Sequence, residues 1–146
     1  MRYIQQTIGQ RLDDIAGENA PRDALVHTEN DVRYTYELLS QEIDRVARGF
    51  ICRGIAPGDK VAIWSSNVPE WLIAWLGLTK IGAVTVPIDP AASSDNLLYI
   101  LEQSECRSLI VTGNSDDKKM VNHARQVRND LPALSHIFVI GEITDP

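Results

Sequence analysis

The chain has 146 residues, 44 % hydrophobic and 23 % charged, with a formal net charge of −6. That is the mix of a soluble globular protein with one ordinary core. Charged residues interrupt every apolar run, which excludes a bilayer span, and the acidic balance argues against a nucleic-acid partner, which needs a basic stripe.

Met1 to Gln10 holds one arginine and scattered apolar residues, so it is not a secretory signal, and a cytoplasmic protein is expected. The first element reads as a short helix, with Thr7 as its cap and Ile8, Leu12 and Ile15 at helical spacing. Asp23 to Thr28 is a strand, residues 29–31 a turn, and Val32 to Thr35 a returning strand, together a small antiparallel hairpin. A long helix is expected from Tyr36 to Arg53, capped by Thr35 and stopped by Gly54. Leu39, Ile43, Val46, Ala47 and Phe50 make its apolar stripe. Glu42, Asp44, Arg45 and Arg48 take the other face, with Asp44 and Arg48 one turn apart.

Lys60 to Ser65 is a strand. Pro69 to Lys80 is a helix that is apolar nearly all round, from Trp71 and Leu72 to Trp75, Leu76 and Leu78, so it must be covered on more than one side. Gly82 ends it, and Ala83 to Val86 is a strand closed by Pro87. Asn96 to Gln103 is a helix capped by Ser93 or Ser94, and Ser108 to Thr112 a strand. Lys118 to Leu131 is a helix with Met120, Ala124 and Val127 on one face, and His136 to Ile140 a last strand. Short apolar strands alternating with helices imply an α/β fold. A mostly parallel sheet flanked by helices follows, with right-handed crossovers and a small antiparallel hairpin near the N-terminus. Residues 1–146 read as a single compact unit with no domain linker.

Sequence motifs for the familiar nucleotide sites are absent: no Gly-x-Gly-x-x-Gly, no Gly-x-x-x-x-Gly-Lys-Ser/Thr, no Gly-x-Ser-x-Gly. His27, His123 and His136 are too scattered for a metal pair, and Cys52 and Cys106 form neither a disulfide framework nor a zinc signature. Lys118, Lys119, Arg125 and Arg128 are interleaved with Asp116, Asp117 and Asp130, the pattern of a solvated helix face. In an open parallel sheet, ligands meet the loops beyond the carboxyl ends of the strands. Those loops are Ser65-Ser66-Asn67, Pro87-Ile88-Asp89 and Thr112-Gly113-Asn114. Each has a structural explanation: Asn67 with Glu70 resembles a capping box, Asp89 can close an Asx-turn, and 112–114 is an ordinary turn. No residue is assigned a catalytic, cofactor-binding or metal role.

Two stretches go further. Arg33-Tyr34-Thr35-Tyr36-Glu37-Leu38 resembles the first core motif of the adenylate-forming enzymes, which comprise acyl- and aryl-CoA synthetases, peptide-synthetase adenylation domains and luciferases. The run from Leu78 through Gly82 to Val86-Pro87-Ile88-Asp89-Pro90 resembles the second. Gly58-Asp59-Lys60-Val61-Ala62-Ile63 and Asn67-Val68-Pro69-Glu70-Trp71 fall between them in the family's order, and the wording is closest to fatty-acyl members. The resemblance implies an ATP-dependent acyl-CoA synthetase that uses magnesium and coenzyme A. In that family a carboxylic acid is joined to AMP with loss of pyrophosphate, and coenzyme A then displaces AMP. The family's Ser/Thr/Gly-rich loop ending in Pro-Lys-Gly does not occur here, nor do its adenine- and magnesium-binding motifs or its C-terminal domain with the catalytic lysine. The chain is therefore expected to be the N-terminal part of a large adenylation domain, inactive by itself and binding none of these cofactors. Its partners would be the rest of that domain and the C-terminal domain, and bared apolar surface would favour self-association. The strand-end loops would form an outer wall of a substrate or coenzyme A channel. The competing readings are a non-catalytic α/β docking module, an aryl-CoA ligase or a peptide-synthetase adenylation domain. A flavodoxin-like domain is opposed by the hairpin ahead of the long helix.

Overall fold

In chain order the elements are α1 (Ile8–Asn19), β1 (Asp23–His27), β2 (Val32–Thr35), α2 (Tyr36–Cys52), β3 (Lys60–Trp64), α3 (Pro69–Lys80), β4 (Val84–Ile88), α4 (Ser94–Ser104), β5 (Ser108–Thr112), α5 (Lys118–Asp130) and β6 (His136–Ile140), in a computed structural model that describes residues 5–113 and 118–140. Side chains open three of the helices. Thr7 and Gln10 exchange side-chain-to-backbone bonds of 3.1 and 2.9 Å at α1, a reciprocal box that satisfies two otherwise unpaired amides. Thr35 accepts from the Leu38 amide at 3.3 Å, and Ser93 accepts from the Asn96 amide at 3.3 Å.

β1 and β2 pair antiparallel as the expected hairpin. The other four strands form one parallel sheet in the order β4-β3-β5-β6. Val61 lies opposite Thr85 on one side and Ser108 on the other, so β3 is central. Side chains alternate along each strand and divide the core between two faces. Ala62, Trp64, Ile88, Leu109 and Val111 meet Leu97 and Leu101 of α4 and Met120, Ala124 and Val127 of α5. Val61, Ile63 and Ile110 meet Phe50 of α2 and Ala74 and Leu78 of α3. Each fully buried Leu or Ile in these layers contributes roughly 1.5–3 kcal/mol.

α1 and the hairpin form a further layer outside α2 and α3, where Leu39, Ile43, Ile73 and Leu76 make a third apolar cluster. α3 is thus covered by the sheet, by α2 and by α1, as its all-round apolarity requires. Lys80 ties these layers together, with Nζ 2.6 Å from Asp13 and 2.5 Å from Asp44.

Several expectations need correction. Asp44 pairs with Lys80 rather than Arg48, because α3 crosses α2 at that turn, and Arg45 forks onto Glu42 instead. Ile8 is exposed, and the buried positions of α1 are Gly9 and Ala16, because the helix meets α3 through Gly9 against Lys80. β4 does not stop before Pro87 but continues through it to Ile88. The Val84 amide donates inward to the Asp59 carbonyl, and alternation then turns Val86 and Ile88 inward and Thr85 and Pro87 outward. The proline nitrogen therefore faces the outer edge and interrupts no ladder bond.

Candidate functional site

Winding reverses at the centre of the sheet. From β3 the chain passes through α3 on one face out to β4, and from β5 it passes through α5 on the opposite face out to β6. Neighbouring strands whose outgoing chains leave to opposite faces open a crevice at their carboxyl ends. Here that crevice lies between Trp64-Ser65 and Thr112-Gly113.

Ser65 and Thr112 close its floor, being 3 % and 0 % exposed. Ser65 Oγ donates to the Ser66 carbonyl at 2.9 Å, so its one proton is occupied and Thr112 Oγ1 donates to Ser65 Oγ across the crevice. Gly113 follows, donating its N–H to the Ile140 carbonyl at 2.8 Å. A Cβ at Gly113 would overlap Val139 Cγ1, so Gly113 lies this close to β6 because it carries no side chain.

The flank beyond β4 is tied by Trp64, whose indole N–H donates to the Asp89 carbonyl at 3.0 Å while its ring stacks on His123. The Asp89 carboxylate accepts the Ala91 amide at 2.8 Å, which is the expected Asx-turn. A cavity of 350 Å³ lies beside it, lined by Asp89, Asn96 and the largely exposed Tyr99. Asn67 sits on this side too but is exposed and does not cap α3. The N-cap position belongs to Val68 and carries no side-chain bond, with Pro69 supplying the preset first turn. Asn114 lies outside the described residues.

Other cavities lie away from the crevice. One of 550 Å³ is at the amino ends of β3 and β5, where Lys60 meets Glu105 at 3.0 Å. The Lys60 hydrogen bond holds the Glu105 carboxyl below its ordinary range, and burial pushes the Cys106 thiol up. Another, of 820 Å³, runs between α2, α3 and β6. There the hydrogen bond from Arg45 lowers Glu42, while burial, Glu42 and Glu70 raise the Tyr34 phenol.

Among the described residues the sequence-flagged histidines and cysteines lie apart from one another. His27 is on the hairpin, His123 on Trp64, and His136 against Ser135 Oγ at 3.0 Å. Cys52 is exposed and Cys106 buried. Among the described residues no three His, Cys, Asp or Glu side chains gather where they could hold a metal ion. Arg125, Arg128 and Asp130 are exposed, as a solvated face requires; Asp116, Asp117 and the side chains of Lys118 and Lys119 lie outside the described residues. The Ser65–Thr112 and Trp64–Asp89 ties join residues 47 and 25 positions apart, and no local pattern announces them.

The sequence matches the family model described as AMP-binding enzyme over residues 12–144. The chain belongs to that family. It is 39 % identical over 140 residues to crotonobetaine/carnitine–CoA ligase of Salmonella paratyphi B, covering 94 % of this chain and 26 % of that one. The inhibitor-bound N-terminal domain of FACL13 from Mycobacterium tuberculosis superposes with a TM-score of 0.85 at 26 % identity, over 93 % of this chain and 34 % of that one. The anthranilate CoA ligase AuaEII, solved with anthranoyl-AMP, gives 0.83 at 26 % identity over 96 % of this chain and 26 % of that one. The chain thus spans about a fifth to a quarter of the length of the curated relatives it matches, 20 to 26 %. No helix among the described residues is long and apolar enough to cross a membrane.

Proposed function

We propose that this chain is the N-terminal part of the adenylation domain of a cytoplasmic, ATP-dependent acyl-CoA synthetase acting on a fatty acid. The carrying observation is the match over residues 12–144 together with a sheet that reverses at a carboxyl-end crevice. The chain's own contribution is positional. Ser65, Thr112, Trp64 and Asp89 fix the spacing of the loops that frame the crevice, which would form an outer wall of a substrate or coenzyme A channel.

Among the described residues no acidic cluster gathers where it could hold a metal ion, and Asp89, the described carboxylate in these loops, accepts the Ala91 amide. On this reading the groups that bind nucleotide, metal and coenzyme A are supplied by the rest of such a domain, and the 146 residues by themselves are inactive.

ATP–pyrophosphate exchange with acids of graded chain length tests the reading on the protein encoded by the complete gene. Exchange that is greatest with a fatty acid supports it, and exchange greatest with an aryl acid redirects it to an aryl-CoA ligase. Carboxylate-dependent AMP release by the 146 residues alone would end the scaffold reading.

A further inference from the structure

α1 packs on α3 with its apolar stripe turned aside. Ile8, Leu12 and Ile15 have the spacing of a core-facing stripe. The positions that α1 buries are instead Gly9 and Ala16, because Gly9 comes against Lys80 and Asp13 holds the Lys80 ammonium at 2.6 Å. The stripe therefore lies beside the helix contact rather than in it. Ile8 is 55 % exposed, and Leu12 and Ile15 are half-buried. Together with Leu76 of α3 they wall a notch of 410 Å³ in the outermost layer, which shares no residue with the carboxyl-end crevice.

The notch has few polar groups, and all but one are committed. The Thr7 side chain accepts the Gln10 amide at 3.1 Å, and Gln6 donates to the Asp14 carboxylate at 2.8 Å. Arg11 is the exception. It lines the notch and is exposed, and its guanidinium has no hydrogen-bond or ion-pair partner among the described residues. Asp14, three positions on, is held by Gln6 instead. Small-molecule sites combine an apolar lining with a few polar groups that orient the ligand, and a guanidinium is well shaped for a carboxylate.

We propose that this notch binds a free fatty carboxylate, its hydrocarbon chain lying along Ile8, Leu12, Ile15 and Leu76 and its carboxylate at Arg11. Size favours a small amphiphile. The 410 Å³ falls within the roughly 300–1,000 Å³ of small-molecule sites, whereas a stable protein interface takes about 20–30 residues from each partner and the notch is lined by seven. Charge opposes an anionic lipid surface as the source. Apart from Arg11 the charged residues of α1 are Asp13, Asp14 and Glu18, in a chain of net charge −6. One guanidinium can hold one carboxylate, but an anionic membrane face attracts clustered cations and would repel this helix. The same guanidinium disfavours a cationic amphiphile. Binding here needs no ATP and does not rest on the enzymatic reading.

The test is photolabelling of the protein encoded by the complete gene, without ATP, by a palmitate analogue carrying a diazirine on its chain. Labelled residues are read by peptide mass spectrometry. Adducts are expected between Ile8 and Ile15 or on Leu76. Laurate, below its micelle threshold, should compete for them at a concentration at least threefold lower than dodecanol, which has the same chain length and no charge. Arg11→Gln should raise the laurate requirement about three- to fivefold and leave dodecanol unchanged, a modest ratio because water screens an exposed pair. Ile8→Gln should weaken both competitors at least threefold. Both substitutions fall at exposed positions, so both variants should melt with the parent. No adduct at these residues, equal competition by laurate and dodecanol, or indifference to Arg11→Gln would overturn the proposal. Competition by phosphatidylserine vesicles as strong as that by laurate, at equal acyl content, would overturn it in favour of a membrane surface.

Discussion

Gly113→Ala tests whether the loop after β5 depends on contact with β6. The added methyl would overlap Val139 Cγ1 and stand 3.6 Å from the Ile140 carbonyl oxygen. Two relaxations are open. Val139 can leave its rotamer well, at about 0.5–1.5 kcal/mol. Alternatively the loop can lift away and weaken the 2.8 Å bond from the Gly113 amide to Ile140, a loss of about 1 kcal/mol. Either way the expected destabilisation is about 1–2 kcal/mol, within the usual range for overpacking. For a chain of 146 residues that is a fall in Tm of roughly 3–8 °C, read by circular dichroism. Gly49→Ala is the control: nothing lies within 4 Å of a Cβ there and the residue is helical, so alanine should stabilise by about 0.5–1 kcal/mol. Val139→Ala removes the obstructing methyl, so the double variant should be less damaged than the two single losses predict, by at least about 0.5 kcal/mol. Additive losses, or a Gly113→Ala melt indistinguishable from the parent, would refute the close-approach reasoning.

Other outcomes follow from the same geometry. Lys80→Met should cost about 1–2 kcal/mol, discounted because Asp13 and Asp44 are half exposed. Burial alone would lower the Lys80 pKa, but its hydrogen bonds to the two carboxylates together raise it. The stability difference from Lys80→Met should therefore be complete below the unfolded lysine value of about 10.4 and shrink as pH rises through the folded one, which urea titrations at graded alkaline pH would show. Ser65→Ala should cost about 1–3 kcal/mol by stranding the buried Thr112 hydroxyl, while Ser65→Ala with Thr112→Val should recover most of it in the same melts. Thr35→Ala should lose about 1 kcal/mol with its cap, whereas Asn67→Ala, which caps nothing, should stay within about 0.5 kcal/mol. In thiol labelling, exposed Cys52 should react in the native state and buried Cys106 only on unfolding; early modification of Cys106 would contradict its burial.

Nearly the whole element order was legible from periodicity, because each strand and helix buries a stripe whose spacing is written locally. α2 shows this best: Leu39, Ile43, Ala47 and Phe50, four of its five expected stripe residues, are its buried ones. The errors fell where tertiary neighbours decide. Pro87 reads locally as a strand stop, and only its place on an edge lets β4 continue. Asp44 has a plausible partner one turn away on its own helix, yet Lys80 arrives from α3 with a half-buried ammonium. Asn67 and Glu70 have the spacing of a capping box, but helix entry is already set by Pro69.

The candidate site was illegible for a different reason. Its polar groups hold one loop to another instead of facing a ligand: Ser65 to Thr112, Trp64 to Asp89, Asp89 to Ala91, Gly113 to Ile140. Such ties leave no motif, since each residue is an ordinary strand-end or turn residue in its own context. Their effect is to fix the distances between three loops that leave a sheet in different directions. Reaction rates fall steeply when positioning slips by even about 1 Å. Under the proposed function, these ties would bear on catalysis through the rigidity of the frame that the reacting groups are mounted against. In that case the Ser65 and Thr112 variants should change kcat in the complete enzyme in step with their effect on stability. A purely local substrate contact would change KM and leave the melt untouched.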